Sequence, residues 1–162
     1  MPSLEFCYWL VLSSEKIPMW LPHPASSLMS LSLQNFKYGD LFQLQGVICR
    51  LRNSPNLGQL NVNNQDLPKM HLDVKPSLTY LEAFDCLDRT MNQLRTINIF
   101  CVERSRALLL FIKLLLVHSP TSEKISIQHR ATVDAHEKYN FAKDVTRFPR
   151  ASTKAELLFL DP

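Results

Sequence analysis

The hydrophobic period changes once along this chain, at Pro76, and that change constrains the fold more than any motif does. Ahead of it, apolar residues alternate. In GDLFQLQGVICRL, Phe42, Leu44 and Ile48 fall on one face and Gln43, Gln45, Val47, Cys49 and Leu51 on the other, the period-two signature of a strand. Gly46 interrupts the pattern where a strand bulges or bends. NSPNLG at 53–58 is a turn signal, GQLNVN resumes a short strand, NQDLP breaks it, and KMHLDV at 69–74 makes another. With LEFCYWLVL at 4–12 as a buried strand and a proline-rich connection over 17–30, residues 1–76 read as an antiparallel β-meander.

Behind Pro76 the period is that of a helix. Thr79 and Glu82 have capping-box spacing, and Leu81, Phe84, Leu87, Met91, Leu94 and Ile97 recur every three or four residues, which predicts a helix over 79–100. Ser105 caps a second helix running to His118. KISIQHRATV at 124–133 reads as a strand, and AELLFL near the end fits either a strand or a helix. No internal repeat is visible. The expectation is one α+β domain over 1–162: residues 1–76 mainly β, 77–118 helical, and 119–162 mixed and basic. The small antiparallel meander packs against the two helices. Its opening is similar in architecture to small Greek-key barrels such as the OB-fold.

Composition narrows the function classes. Glycine numbers three, Gly39, Gly46 and Gly58, against an average usage of about 7%. There is no glycine-rich phosphate loop and no G-x-S-x-G nucleophile elbow. A net charge of +3 is not evenly spread, residues 124–162 carrying seven Lys and Arg against five Asp and Glu, but no segment is strong enough to do more than permit an anionic partner. Cys7, Cys49, Cys86 and Cys101 stand far apart and read as reduced core thiols, and no N-x-[ST] acceptor is present. Both point to a soluble protein of the cytoplasm or nucleus. The longest apolar run, ALLLFIKLLLV at 107–117, is about half the roughly 20 residues a membrane span requires.

One short stretch carries a family's phrase. AFDCLDRTM, from Ala83, resembles the signature loop of Sac-type phosphoinositide phosphatases, C-x-D-C-L-D-R-T-N, over about eight residues. The resemblance matches Arg89 to the arginine that grips phosphate, and Asp85, Cys86, Leu87, Asp88 and Thr90 to the loop. Ala83 stands where the nucleophilic cysteine belongs, and Met91 replaces the closing asparagine. The segment lies inside the helical pattern, with Asp85 four residues before Arg89 as in an ordinary surface ion pair, so it is read as helix surface. His118, His129 and His136 lack the spacing that puts two ligands on one helical face. No catalytic set, metal site or cofactor is expected.

What remains is binding. The chain is expected to be a non-enzymatic interaction module that docks a protein partner, or a second copy, through its apolar helix. Leu110, Phe111 and Leu114, with Trp20 in the proline-rich connection, are the docking residues. The alternative is a nucleic-acid-binding module of small-barrel type. In it Lys143, Arg147 and Arg150 would meet phosphates and Phe148 would stack on bases.

Overall fold

The computed structural model describes residues 3–6, 26–64, 73–83 and 91–162. Among them six strands form one sheet: β1 (Ser3–Phe6), β2 (Ser30–Gln34), β3 (Gln59–Asn63), β4 (Thr96–Val102), β5 (Lys124–His129) and β6 (Glu156–Leu160). They are hydrogen-bonded in the order of the chain, and every neighbouring pair is parallel. Helices α1 (Leu41–Asn53), α2 (Lys75–Glu82), α3 (Arg106–His118) and α4 (Ala135–Thr146) fall one by one between consecutive strands from β2 onward. The fold is therefore α/β, and the expected antiparallel meander is overturned. Period-two alternation marks a strand with one face buried but says nothing of its neighbour's direction; a helix in each connection lets the chain return and run parallel.

The order of strands decides where the helices lie. Each crossover advances one place in the same direction, and a right-handed crossover then puts every helix on the same face of the sheet. The burial pattern follows. Leu31, Leu60, Ile97 and Ile125 form one register row, and Leu33, Val62, Ile99 and Ile127 another. All eight are buried. They pack against Leu44, Val47, Ile48 and Leu51 of α1, Leu108, Phe111, Ile112 and Leu115 of α3, and Phe141 and Val145 of α4.

The strand entries repeat as well. Two residues ahead of β2, β3, β4 and β5 stand Leu28, Leu57, Leu94 and Ser122, all buried. One residue ahead, the carbonyls of Met29, Gly58, Arg95 and Glu123 accept backbone N–H groups from the start of the next unit. The chain thus repeats L-x-x-L-x-L followed by a helix about every 30 residues, the spacing of a stacked array. A repeat is present where none is visible by eye, because helix and loop lengths vary between units.

Two segments change type. GDLFQLQGVICRL is not a strand: Asp40 caps α1, accepting from Phe42 N and Gln43 N. The buried residues 44, 47, 48 and 51 have i, i+3, i+4, i+7 spacing, so Gly46 lies within a helix turn. The long helix expected over 79–100 is also absent. α2 ends at Glu82, and Thr96–Val102 is a strand with Ile97 and Ile99 fully buried. Thr79 does not form a capping box; its hydroxyl donates back to the Lys75 carbonyl at 3.0 Å, while Pro76 occupies the first turn, where its missing N–H costs nothing. α3 begins as expected, with Ser105 Oγ accepting from Leu108 N, and AELLFL resolves as β6. Residues 7–12, 69–72 and 84–90, which include most of two expected strands and the DCLDRT stretch, lie outside the described residues.

Candidate interaction surface

Helices on one face leave the other face of the sheet uncovered, and the sequence makes it polar. Its central row runs Ser32, Asn61, Asn98, Ser126 and Leu158, one residue per strand. The rows on either side are Ser30, Gln59, Thr96, Lys124 and Glu156, then Gln34, Asn63 and Phe100, with Gln128 and Leu160 beyond a break. Strands about 4.8 Å apart crowd such rows, so Ser32, Asn61 and Asn98 are half-buried and Ser126 is buried.

The crowded amides bond to one another. Asn98 Nδ2 donates to Asn61 Oδ1 at 2.8 Å, Gln59 Nε2 donates to the same oxygen at 3.1 Å, and Asn61 Nδ2 donates to Ser32 Oγ at 3.4 Å. Asn61 is held from both sides, and each such cross-strand pair is worth a few tenths to about 1 kcal/mol. The result is a rigid, largely uncharged strip of amide and hydroxyl groups. From β2 to β6 only Lys124 and Glu156 in these rows carry charge, and Glu5 of β1 extends the central row beside Ser32.

The break comes from β4. The register shifts between Ile99 and Val102, and Cys101 sits at a φ of 58°, in the left-handed region. A bulge of this kind re-aims side chains at the carboxyl end of its strand. Here it turns Val102 back into the core, while Phe100, just ahead of it, keeps the alternation of Thr96 and Asn98 and is half-buried opposite Asn63 on the open face. With Leu158 and with Leu160, which is 41% exposed, Phe100 adds apolar surface to an otherwise polar face.

The sequence-predicted docking residues lie elsewhere. Phe111 is fully buried in an aromatic cluster, 5.4 Å from both Phe36 and Tyr38 between ring centroids. Leu114 is also core. Leu110, half-buried, and Leu114, buried at its base, both line a groove of about 150 Å³ between α2 and α3, together with Leu81, Glu82, Lys113, Val117 and His118. Trp20 lies outside the described residues. The helix is apolar nearly all round because a sheet covers one side and α2 and α4 pack on its flanks.

The basic residues do not gather into a stacking site. Lys143, Arg147 and Arg150 are exposed, but Phe148 turns inward against the core. Asp144 ties Arg104 at 2.7 Å beside them. His129 is core and His136 exposed, and among the described residues no group of three or more His, Cys, Asp or Glu could hold a metal. Cys49 and Cys101 are not joined in disulfides, and burial pushes the Cys49 thiol up, away from reactivity at neutral pH. Among the described residues no helix is long and apolar enough to cross a membrane.

The geometry defines a class: a stack of strand–helix units with all helices on one face and an open parallel sheet on the other. The chain is similar to an F-box/FBD/LRR-repeat protein of Arabidopsis thaliana, 26% identical over 148 residues that cover 88% of this chain. It spans about a third of that relative's length, 34%. No family model matches the chain, and no solved structure matches it.

Proposed function

We propose that the chain is a non-enzymatic protein-interaction segment of leucine-rich-repeat type, which receives a protein partner on the open face of its sheet. The observation that carries this reading is the uncovered strip of Ser32, Asn61, Asn98 and Ser126, held rigid by its own hydrogen bonds and flanked by Phe100 and Leu158. Pre-ordered amides lose little entropy when they bind, and an apolar flank supplies the buried anchor that most interfaces need. The repeat named in the Arabidopsis relative supports the same reading. Docking through α3 is not part of it, because Phe111 and Leu114 are already spent on the core. An intracellular setting, in which Cys49 and Cys101 stay reduced, goes with it.

The test compares the two faces. A photo-crosslinking residue is placed at Phe100 on the open face or at Tyr139, 65% exposed on α4, and each protein is irradiated in cell extract. The reading expects one discrete protein adduct from position 100, absent from position 139 and lost with Asn98→Lys. Adducts formed equally from both positions, or untouched by Asn98→Lys, would sink it. Salt separates it from nucleic-acid binding. A surface with so little charge keeps its affinity as salt rises, whereas a protein neutralising several phosphates loses roughly a thousandfold or more between about 50 and 200 mM.

A further inference from the structure

The helix side of the sheet encloses one titratable ring that its packing leaves without a partner. His129, the last residue of β5, is 3% exposed, and neither Nδ1 nor Nε2 has a hydrogen-bond partner among the described residues. Its ring meets Phe141 of α4 edge-on, 5.0 Å between centroids. Two charged groups act on it from separate elements. Lys138 of α4 opposes a second positive charge, and Asp161, just beyond β6, favours one.

Those two groups already hold each other. Lys138 Nζ lies 3.0 Å from Asp161 Oδ1, and Gln128 Nε2 donates to the Asp161 carbonyl oxygen at 2.9 Å. The next residue along β5, Arg130, is engaged elsewhere, with Glu103 at 3.4 Å and the Asn64 carbonyl at 2.6 Å. Neutral His129 therefore sits beneath a tie that joins α4 to the segment after β6. A charged ring there has no acceptor among the described residues, feels the Lys138 charge against it, and draws on a carboxylate already held by that lysine.

We infer that His129 is an acid-operated latch: uptake of one proton by its buried ring releases α4 and β6 from the sheet while β2, β3 and β4 stay paired. The strand is fixed on one side by β4, so the ring reaches water most directly by displacement of α4 and the end of β6. Burial first, then Lys138, hold the ring's pKa below its ordinary 6.5, with Asp161 offsetting part of this. A base that is harder to protonate when folded contributes stability above its unfolded pKa. That contribution drains away as pH falls through 6.5 toward the folded value. Across that window the opening constant rises up to tenfold per pH unit, one proton being bound.

Nuclear magnetic resonance on the whole chain tests the latch between about pH 7.5 and 5, above the range where ordinary carboxylates titrate. The His129 ring is followed directly, with exposed His136 as reference. Amide exchange, corrected for its intrinsic pH dependence, is followed in α4 and β6 against β3 and β4. The latch requires the ring to titrate below 6.5, with opening of α4 and β6 growing up to tenfold per unit and β3 and β4 unmoved. His129→Leu, which keeps the contact with Phe141, should make α4 exchange independent of pH. A ring that titrates at or above 6.5 overturns the inference. So does exchange that accelerates equally in all strands, or acid sensitivity that survives in His129→Leu. If that variant does not fold, the ring titration and the strand comparison in the unaltered chain decide alone.

Discussion

The two faces of this sheet are built from alternate residues of the same strands, yet they share almost no chemistry. Leu60 and Val62 of β3 are fully buried under helices, while Asn61 between them is half-buried in a hydrogen-bonded amide row. Parallel sheets are usually covered on both faces, and their strands then read as unbroken apolar runs. Here every crossover steps the same way, so one face is left over, and the alternation in QLNVN and TINIF records which side has helices. The difference teaches that stability and, on the proposed reading, recognition belong to opposite parities of one strand. A substitution's effect should therefore depend on parity more than on position along the chain.

The strongest attempt to break that division is on α3. Leu114→Glu places a carboxylate among core side chains and is expected to cost at least about 4 kcal/mol, enough to unfold many domains. Leu110→Glu, one turn earlier at the edge of the α2–α3 groove, should cost under about 1 kcal/mol. Urea unfolding of both distinguishes a core helix from a docking helix: two folded variants would mean that α3 is surface after all. Next in size is a single pair of neighbours on β3. Leu60→Ala should cost about 3 kcal/mol through lost burial and a cavity, and Asn61→Ala about 1 kcal/mol through its cross-strand bonds. Equal losses would show that the open face is structural rather than reserved for a partner.

Much of this architecture was legible in the sequence, though not all of it was read. The strands GQLNVN and KISIQH and the helix behind Ser105 stand out because period and cap agree. The segment 40–51 misled because Phe42, Leu44 and Ile48 also satisfy a period of two. The decisive signal was Asp40 two and three residues ahead of amides it could cap. Leu94 and Ile97 fell three apart and extended a helical pattern that in fact belonged to a strand entry and a strand. The same spacing, L-x-x-L-x-L, was the signal for the repeat: Leu28-Leu31-Leu33, Leu57-Leu60-Val62 and Leu94-Ile97-Ile99. Aligning the chain against itself on that pattern would have given parallel topology and the open face together. The open-face residues are harder to find, since Ser, Asn and Gln in a strand look like ordinary exposed positions until the neighbouring strands are known.

Smaller changes sharpen the comparison at the ends of elements. Asp134 caps α4 by accepting from Glu137 N at 2.8 Å, and Asp134→Ala should cost about 1 kcal/mol in thermal unfolding. Because α4 lies on the helix side, partner binding on the open face should be unchanged; a drop in affinity would mean that the two faces are coupled.

The smallest expected effect has the opposite sign. Cys101 at φ 58° holds a side chain in a region that L-residues occupy at a cost of roughly 1–2 kcal/mol. Glycine removes that strain but gives back part of the gain as chain entropy in the unfolded state. Cys101→Gly is therefore expected to raise stability by about 0.5 kcal/mol, read as a shift in urea midpoint at unchanged slope. The consequence for binding runs the other way. A bulge kept at a stability cost just behind Phe100 makes sense if it holds the end of β4, and Phe100 with it, fixed on the open face, and the glycine variant, free to relax, should bind the partner more weakly. A variant that is both more stable and equally good at binding would leave the bulge without a role in recognition. The apolar part of the face would then rest on Leu158 and Leu160 alone.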